Sequence, residues 1–586
     1  MWIGSQIGSI KKNWVEYMAI VLLTVPLIVV GVIVPINYDE AYNMQVVDHL
    51  VRGQGYSTNG SLIGAGIWRF DPHITTGPVP ILFMAIVHYI AQNVVISLKI
   101  YNNVVICAII GASYLYAIRD RKPIKLTLMV VIMLGSGHAS NYTRDVEITA
   151  ARFIGEPLAI ALIFLALYAI RNGKIILTGI CAGLLVQTKL PIGIFLAGIV
   201  VVIFAPRLLP KSRKVFVATI VSVTAPSLLF VLYVCASAES TEVVLIDWLE
   251  FMRSQRANRT LVEEWRIWLN IVYRLVPGIF IINVVLALSN LRSNGLTWKV
   301  YNAIRRKRYK LRMPNDESLF IAAIIVGSVV TNVTHTVNFR TTMAVVVIVV
   351  PVIWYWSSKE INNIVWDQVS FGIVIILSIV SSATTLVAIN NGETIKDQLE
   401  VSRKMVRDGI HSLFVDGWWQ NPEYILLTGI PASPVRSKNQ ALIVQEYQAA
   451  LLNTDAKTLT DECVAPIAQT RETTVCYMKD VEKTRPIVAS FGVTVRPPSL
   501  WEVVTSANTN TFVIQFVRSE EFGPASARVY TDGRAGPLVN IDRVNARMSG
   551  VIPAFRLWGR AAVDVSVRSI SGDEEWKLGR LVLAVE

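Results

Sequence analysis

The sequence predicts an α-helical polytopic membrane protein whose C-terminal third is a water-exposed domain ending in a β-sandwich. Three observations predict it. Of the 586 residues, 53% are hydrophobic and only 17% charged, against roughly 25% charged in a typical soluble domain. Apolar runs bounded by polar clusters recur through residues 15 to 390, many near the length of about 20 residues that a helix needs to cross a bilayer. The net charge of +13 is carried entirely by that region, with 33 basic and 19 acidic residues up to position 390 against 22 and 23 beyond it. A basic excess confined to an apolar region marks cytoplasmic loops rather than a nucleic-acid surface.

Spans are expected near 15–36, 99–118, 124–140, 156–171, 174–189, 190–206, 215–237, 268–290, 318–337, 341–356 and 368–390. That makes eleven, several shorter than 20 residues. The first follows Lys11 and Lys12 and lacks a cleavage pattern, so it reads as a retained anchor. Placing the N-terminus in the cytoplasm collects most of the basic residues there: RDRKPIK at 119–125, RNGK at 171–174, RLLPKSRK at 207–214 and the RRKRYKLR stretch at 305–312. This orientation holds only if the apolar run 78–97 does not cross, and it is read as an in-plane, juxtamembrane helix. The C-terminus then lies outside, which for a bacterial inner membrane is the periplasm.

Three domains follow: 1–390 in the membrane, 391–489 helical or irregular, and 490–586 a β-sandwich. The last rests on β-branched, alternating runs such as FVIQFV, ARVYT and AVDVSVRSI, separated by turn residues. Cys107, Cys181 and Cys235 lie in apolar runs and suit packing. Cys463 and Cys476 are the only pair in the C-terminal region; their spacing fits no zinc signature, and an external compartment favours a disulfide.

The polar residues at the outer face carry the chemistry. Asp39 and Glu40 stand at the end of the first span, where ionisable groups are costly and commonly functional. Asp39 could equally cap the helix that follows. Charge bias alone also places His73, Lys99, Arg144, Glu156, Lys189 and Arg340 near that face. Each has an ordinary alternative. Lys189 could snorkel, Lys99 could anchor at the interface, and Glu156, just before Pro157, could serve the dipole of a helix start. His73 could bond a carbonyl, and Arg144, Asp145 and Glu147 could form an ion-pair network. The loop 238–268 could guide a phosphate or be an amphipathic interfacial helix. Trp418 and Trp419 could stack on sugar or pack in a core.

Asp39-Glu40, Tyr42 and Gly53-Gln54-Gly55 together resemble the first-loop pattern of the C-type (GT-C) polyprenyl-phosphate-sugar-dependent glycosyltransferases, above all the protein O-mannosyltransferases and the lipid A aminoarabinose transferase. HITTGPVP at 73–80 stands where those families carry a His/Lys-Pro-Pro stretch, with the second Pro displaced and no Glu-Lys pair before it. Lys99 holds the place of a family Arg at the start of a span, Glu156 that of a second acidic residue, and GLLVQTK at 183–189 a small-residue span ending in Thr-Lys. Arg340 stands where many members have Arg-Tyr, with Thr341 in place of Tyr. The resemblance covers about residues 10 to 390.

It implies transfer of a sugar, a hexose or a pentose such as arabinofuranose, from a polyprenyl phosphate to a periplasmic glycan, lipid or protein. In such a transfer a carboxylate takes the acceptor's proton. Cations stabilise the departing phosphate. Direct displacement inverts the anomeric carbon. Asp39 is the candidate base, with Glu40 orienting the acceptor or holding the loop; Lys189, Lys99 and Arg340 are candidates for the phosphate. No HExxH, CxxC, Walker or Rossmann pattern occurs, so no cofactor is expected, and a divalent metal, although compatible with the Asp-Glu pair, is not required. A transporter would instead put ionisable residues at mid-bilayer and show internal repeats; neither is seen. A non-catalytic membrane scaffold displaying a β-domain would have no need for Asp39.

Overall fold

The computed structural model describes residues 14–58, 68–118 apart from 73 and 75, 123–136, 152–189, 213–256 apart from 239, a few helical residues between 321 and 355, 394–409, 412–415, 422–434 apart from 431, and the strands between 448 and 583. Expected spans at 190–206, 268–290 and 368–390, most of 318–337 and parts of 341–356, together with His73, Arg144 and Arg340, lie outside the described residues.

Helix α1 (Trp14–Ile33) is a continuous apolar run. It stops because Pro35 disfavours helical backbone at the residue before it. Helix α2 (Tyr38–Val51) then leaves at 71°. Its start is set by a capping box: the Asn37 side chain accepts from the Glu40 N–H at 2.9 Å, and Glu40 accepts from the Asn37 N–H at 3.3 Å. Gly53 and Gly55, both at positive φ, turn the chain out of it. Strands β1 (Ser57–Thr58) and β2 (Trp68–Arg69) pair antiparallel across the first loop.

Helix α3 (Pro78–Ala91) has Pro at its first position and ends at Gln92, in left-handed conformation. At 1.5 Å per residue its 14 residues reach about 21 Å, short of the roughly 30 Å of a bilayer core. Helix α4 (Val94–Ala117) is long enough to cross. It starts five residues earlier than expected because Asn93 caps it, accepting from the Ile96 N–H at 3.0 Å. Lys99 is therefore in its second turn and not at its first residue.

Helices α5 (Pro123–Ser136), α6 (Gly155–Arg171), α7 (Ile175–Val186), α8 (Arg213–Ser237) and α9 (Thr241–Arg256) follow. Helix α4 packs on α5 and α6, α6 on α7, and α7 on α8. Tyr101, Tyr116, Phe153 and Phe164 are fully enclosed between them. Leu22, Val25, Ile86, Ile90, Leu229 and Leu232 stay exposed on α1, α3 and α8, an apolar surface suited to lipid. By length and apolarity, α4 and the 220–237 part of α8 qualify as spans among the described residues, and the bent pair α1–α2 can be counted as a third.

Beyond residue 390 come helices α10 (Ile395–Arg407) and α11 (Pro422–Thr428), the latter packed on α2. The region expected to be helical or irregular also holds a five-stranded mixed sheet of order β4-β3-β5-β7-β6. It is built from Ser412–Val415, Ala432–Pro434, Gln448–Asn453, Cys463–Gln469 and Thr473–Met478, with β3 parallel to both neighbours. Strands β6 and β7 are antiparallel and set Cys463 opposite Met478 and Cys476 opposite Pro466. The two cysteines thus occupy adjacent strands but not one paired position, and their side chains lie outside the described residues. From 493 onward the chain forms two antiparallel sheets, one of Asn540–Asp542, Arg547–Pro553, Thr511–Val517 and Trp501–Thr505 in that order, the other of Arg534–Leu538, Ala527–Thr531, Ala562–Ser569, Glu575–Leu583 and Val493–Val495.

Gly183 lets α7 and α8 approach closely: a Cβ there would stand 2.5 Å from the Val223 carbonyl oxygen and 2.9 Å from Pro226 Cγ. Gly183→Val should force the helices apart and destabilise the detergent-solubilised protein by about 1–3 kcal/mol. Gly111→Ala, with nothing within 4 Å, should leave the melting temperature unchanged or raise it. Equal melting curves for the valine variant and wild type would show that this contact is looser than described.

Candidate active site

The break between α1 and α2 strands backbone groups at the edge of an apolar bundle, where each must find a partner. Two cationic side chains supply partners. Lys99 of α4 donates to the Val34 carbonyl at 2.6 Å, and Arg152 donates to the Pro35 carbonyl at 2.7 Å. Arg152 also meets Glu40, its Nη1 standing 2.9 Å from Oε2.

Glu40 is the hub. It is 2% exposed. Besides Arg152 and the Asn37 N–H, it accepts from Asn102 Nδ2 at 3.2 Å and from the Phe153 N–H at 3.0 Å. Burial alone would raise its pKa. The charges of Arg152 and Lys99, with the Phe153 N–H and Asn102, outweigh burial and hold the carboxyl below its ordinary value. All of this ties Glu40 to the break, to α4 and to the segment entering α6.

Asp39 is half-buried in the first turn of α2. The box of Asn37 and Glu40 already caps the helix, so Asp39 is not needed as the cap. Tyr42 stacks on Tyr38 with centroids 5.9 Å apart and donates its hydroxyl to Asp71, which also accepts from Thr58 Oγ1 at 2.8 Å. Burial first, then Asp71, pushes the Tyr42 pKa far up, so its hydroxyl keeps its proton and secures the first loop to α2. Asn43 continues the tie, donating to Thr76 Oγ1 at 3.0 Å and to the Phe153 carbonyl at 2.8 Å.

The segment 152–156 joins this cluster to a second buried pair. Glu156, fully buried in the first turn of α6, lies 3.1 Å from Lys189 Nζ, whose side chain is 6% exposed. In sequence, Lys189 has no acidic neighbour within four residues; its partner comes from 33 residues upstream. Neither carboxylate oxygen of Glu156 makes an aligned hydrogen bond. The pair is held by charge alone, and Lys189 keeps donor capacity to offer.

Two glycines fix this place. Gly77 and Val79 donate to the Thr188 and Gln187 carbonyls at 3.0 and 3.1 Å. A Cβ on Gly77 would fall 2.0 Å from the Gln187 oxygen, and one on Gly155 would fall 2.4 Å from the Thr188 oxygen. The Gln-Thr-Lys end of α7 is thus clasped between the starts of α3 and α6. The start of α3 keeps no amide for an anion in its first three residues: two are Pro and Val79 is engaged.

The structure therefore brings Asp39, Glu40, Tyr42, Lys99, Glu156 and Lys189 into one connected region. Of the loop 238–268, helix α9 is described, with Trp248 half-buried and Phe251 packed against Trp68. Trp418 and Trp419 lie outside the described residues. Sequence reasoning missed Arg152, Asp71, Asn43 and Asn102. The signal for Arg152 and Asp71 was present, a charge beside an aromatic in ARFIGEP and RFDP. No three His, Cys, Asp or Glu side chains gather in a metal-holding group among the described residues.

At neutral pH the depressed Glu40 carboxyl contributes stability, fully present above the unfolded value near 4. It is lost as pH falls through the lower folded value. Glu40→Gln should cost about 3–5 kcal/mol at pH 7 by leaving Arg152 buried and unpaired, and should flatten the acid limb of melting temperature against pH. A variant melting like wild type from pH 7 to 3 would remove Glu40 from the hub.

No protein-family model matches the chain, and no curated protein matches it in sequence. Solved structures do. The crystal structure of ArnT from Cupriavidus metallidurans bound to undecaprenyl phosphate superposes with a TM-score of 0.50 and 10% identity, over 80% of this chain and 99% of that one. The apo ArnT structure gives 0.48 and 11%, over 80% and 98%. The undecaprenyl-phosphate-bound ArnT structure shares its fold with this chain across four fifths of its length.

Proposed function

We propose that the protein is an inverting GT-C glycosyltransferase of the bacterial inner membrane. It would move a sugar from a polyprenyl phosphate to a periplasmic glycan, lipid or protein, with its N-terminus cytoplasmic and its C-terminal sheets, read as a β-sandwich, in the periplasm. The reading rests on the shared fold with a structure bound to undecaprenyl phosphate. One observation within the site carries it: the acidic pair is divided in labour, with Glu40 buried as scaffold and Asp39 half-buried outside the helix cap.

In this scheme Asp39 accepts the acceptor hydroxyl's proton as that oxygen attacks the anomeric carbon. The bond from that carbon to the donor phosphate breaks, and the carrier leaves as a phosphate monoester. Lys189 meets the developing charge while remaining beside Glu156. Lys99 holds the break and adds positive potential behind Glu40. Arg340 remains a candidate for the phosphate, His73 and Arg144 remain candidates elsewhere in the site, and no metal is called for.

Asp39→Asn keeps size but takes no proton. Turnover with a polyprenyl-phosphate sugar should fall by about two to four orders of magnitude while donor affinity changes little; near-normal turnover would move the base elsewhere.

Removing Lys189 alone would leave Glu156 uncompensated, so the informative variant is Lys189→Met with Glu156→Gln. It should fold and bind polyprenyl phosphate in nanodiscs more weakly by about 1.5–3 kcal/mol. Wild-type affinity would show that Lys189 serves Glu156 alone.

A further inference from the structure

The third residue of the break, Ile36, is held from a distant part of the chain. Its N–H donates to Gln398 Oε1 at 2.8 Å, and its carbonyl accepts from Gln398 Nε2 at 3.0 Å, across 362 positions. Gln398 is 2% exposed. A primary amide both donates and accepts in one plane, so it can close on a backbone unit as a neighbouring strand would, which neither a carboxylate nor an apolar side chain can do.

Gln398 is itself firmly placed. Helix α10 opens with a capping box of Thr394 and Asp397. It buries Gln398, Val401, Ser402 and Met405, one face at helical spacing, while Arg403 stays exposed. Helix α11 packs on both α10 and α2, with Tyr424 fully enclosed. The chain beyond residue 390 is thus docked against the start of α2.

Ile36 is followed by the cap Asn37, whose extended backbone (φ −99°, ψ 175°) sets where the first turn of α2 begins. Asp39 rides on that turn. Fixing both backbone groups of Ile36 fixes the entry of the chain into the cap and with it the azimuth of Asp39. We infer that Gln398 is a positioning residue for Asp39, which makes α10 a working part of the transfer site. The inference rests on the reading of Asp39 as the base. A shift on the order of 1 Å in a reacting group costs about a hundredfold in rate.

The test compares full-length wild type, Gln398→Met and the exposed control Arg403→Ala in nanodiscs. Two readouts are needed: steady-state transfer from a polyprenyl-phosphate sugar, and amide hydrogen exchange. Gln398→Met should lower kcat by about 10- to 100-fold with the donor KM little changed. Exchange should quicken in peptides covering residues 34–42 and nowhere else, and Arg403→Ala should match wild type. If the methionine variant does not fold, Gln398→Glu carries the same comparison, since it keeps the acceptor for the Ile36 N–H and loses the donor. Unchanged kcat in a folded variant overturns the proposal, and so does exchange that quickens throughout the chain. The exchange readout does not depend on the chemistry. If Asp39→Asn keeps its turnover while 34–42 loosens in Gln398→Met, the base assignment has failed and the clamp has not.

Discussion

A membrane helix that breaks at the bilayer edge leaves peptide groups with neither helix nor water to satisfy them, and this chain's site is arranged around that debt. Residues 34 to 36 fall between α1 and α2. Their stranded groups are taken up by Lys99 from α4, Arg152 from the entry to α6 and Gln398 from α10. Each partner reaches in from a different element, so satisfying the break also ties those elements together. The chain bends by 71° between α1 and α2 at this break.

Charge neutrality imposes the second level of order. Arg152, which serves the break, also pairs with Glu40, and Lys189 pairs with Glu156. Glu40 sits in four directional bonds and is stiff, whereas Glu156 and Lys189 meet without aligned hydrogen bonds. Losing either partner of such buried pairs is costly, but Lys189, without an aligned bond to Glu156, keeps N–H groups for a second acceptor beside it. That contrast is why Glu40 is read as scaffold and Lys189 as a group able to turn to phosphate.

What the sequence made legible was local. Asp39 and Glu40 and the helix start at Glu156 can be read from neighbours in the chain, whereas the run 78–97, read as one in-plane helix, is divided between α3, ending at Ala91, and α4, starting at Val94. Long-range partners could not. Lys189 looked unpaired because its carboxylate lies 33 residues upstream, and Arg152 went unnoticed because Glu40 is 112 positions before it. The start of α4 was legible but overlooked, since Asn93 is an ordinary helix cap. The sheet at 412–478 was hidden for a different reason. Its strands are three to seven residues long, Pro434 and Pro466 interrupt them, and parallel pairing leaves no hairpin signature between β3 and β5. Gln398 carried no signal at all, since an amide on a helix that is polar overall reads as solvent-facing.

Discharge of a polyprenyl-phosphate sugar at this site is tested by profiling polyprenyl-linked lipids and periplasmic glycans by mass spectrometry in otherwise identical cells with and without the gene. One polyprenyl-phosphate sugar should accumulate in the deleted cells while the same sugar disappears from a glycan, lipid or protein. Identical lipid and glycan profiles in cells shown to express the wild-type protein would contradict this reaction.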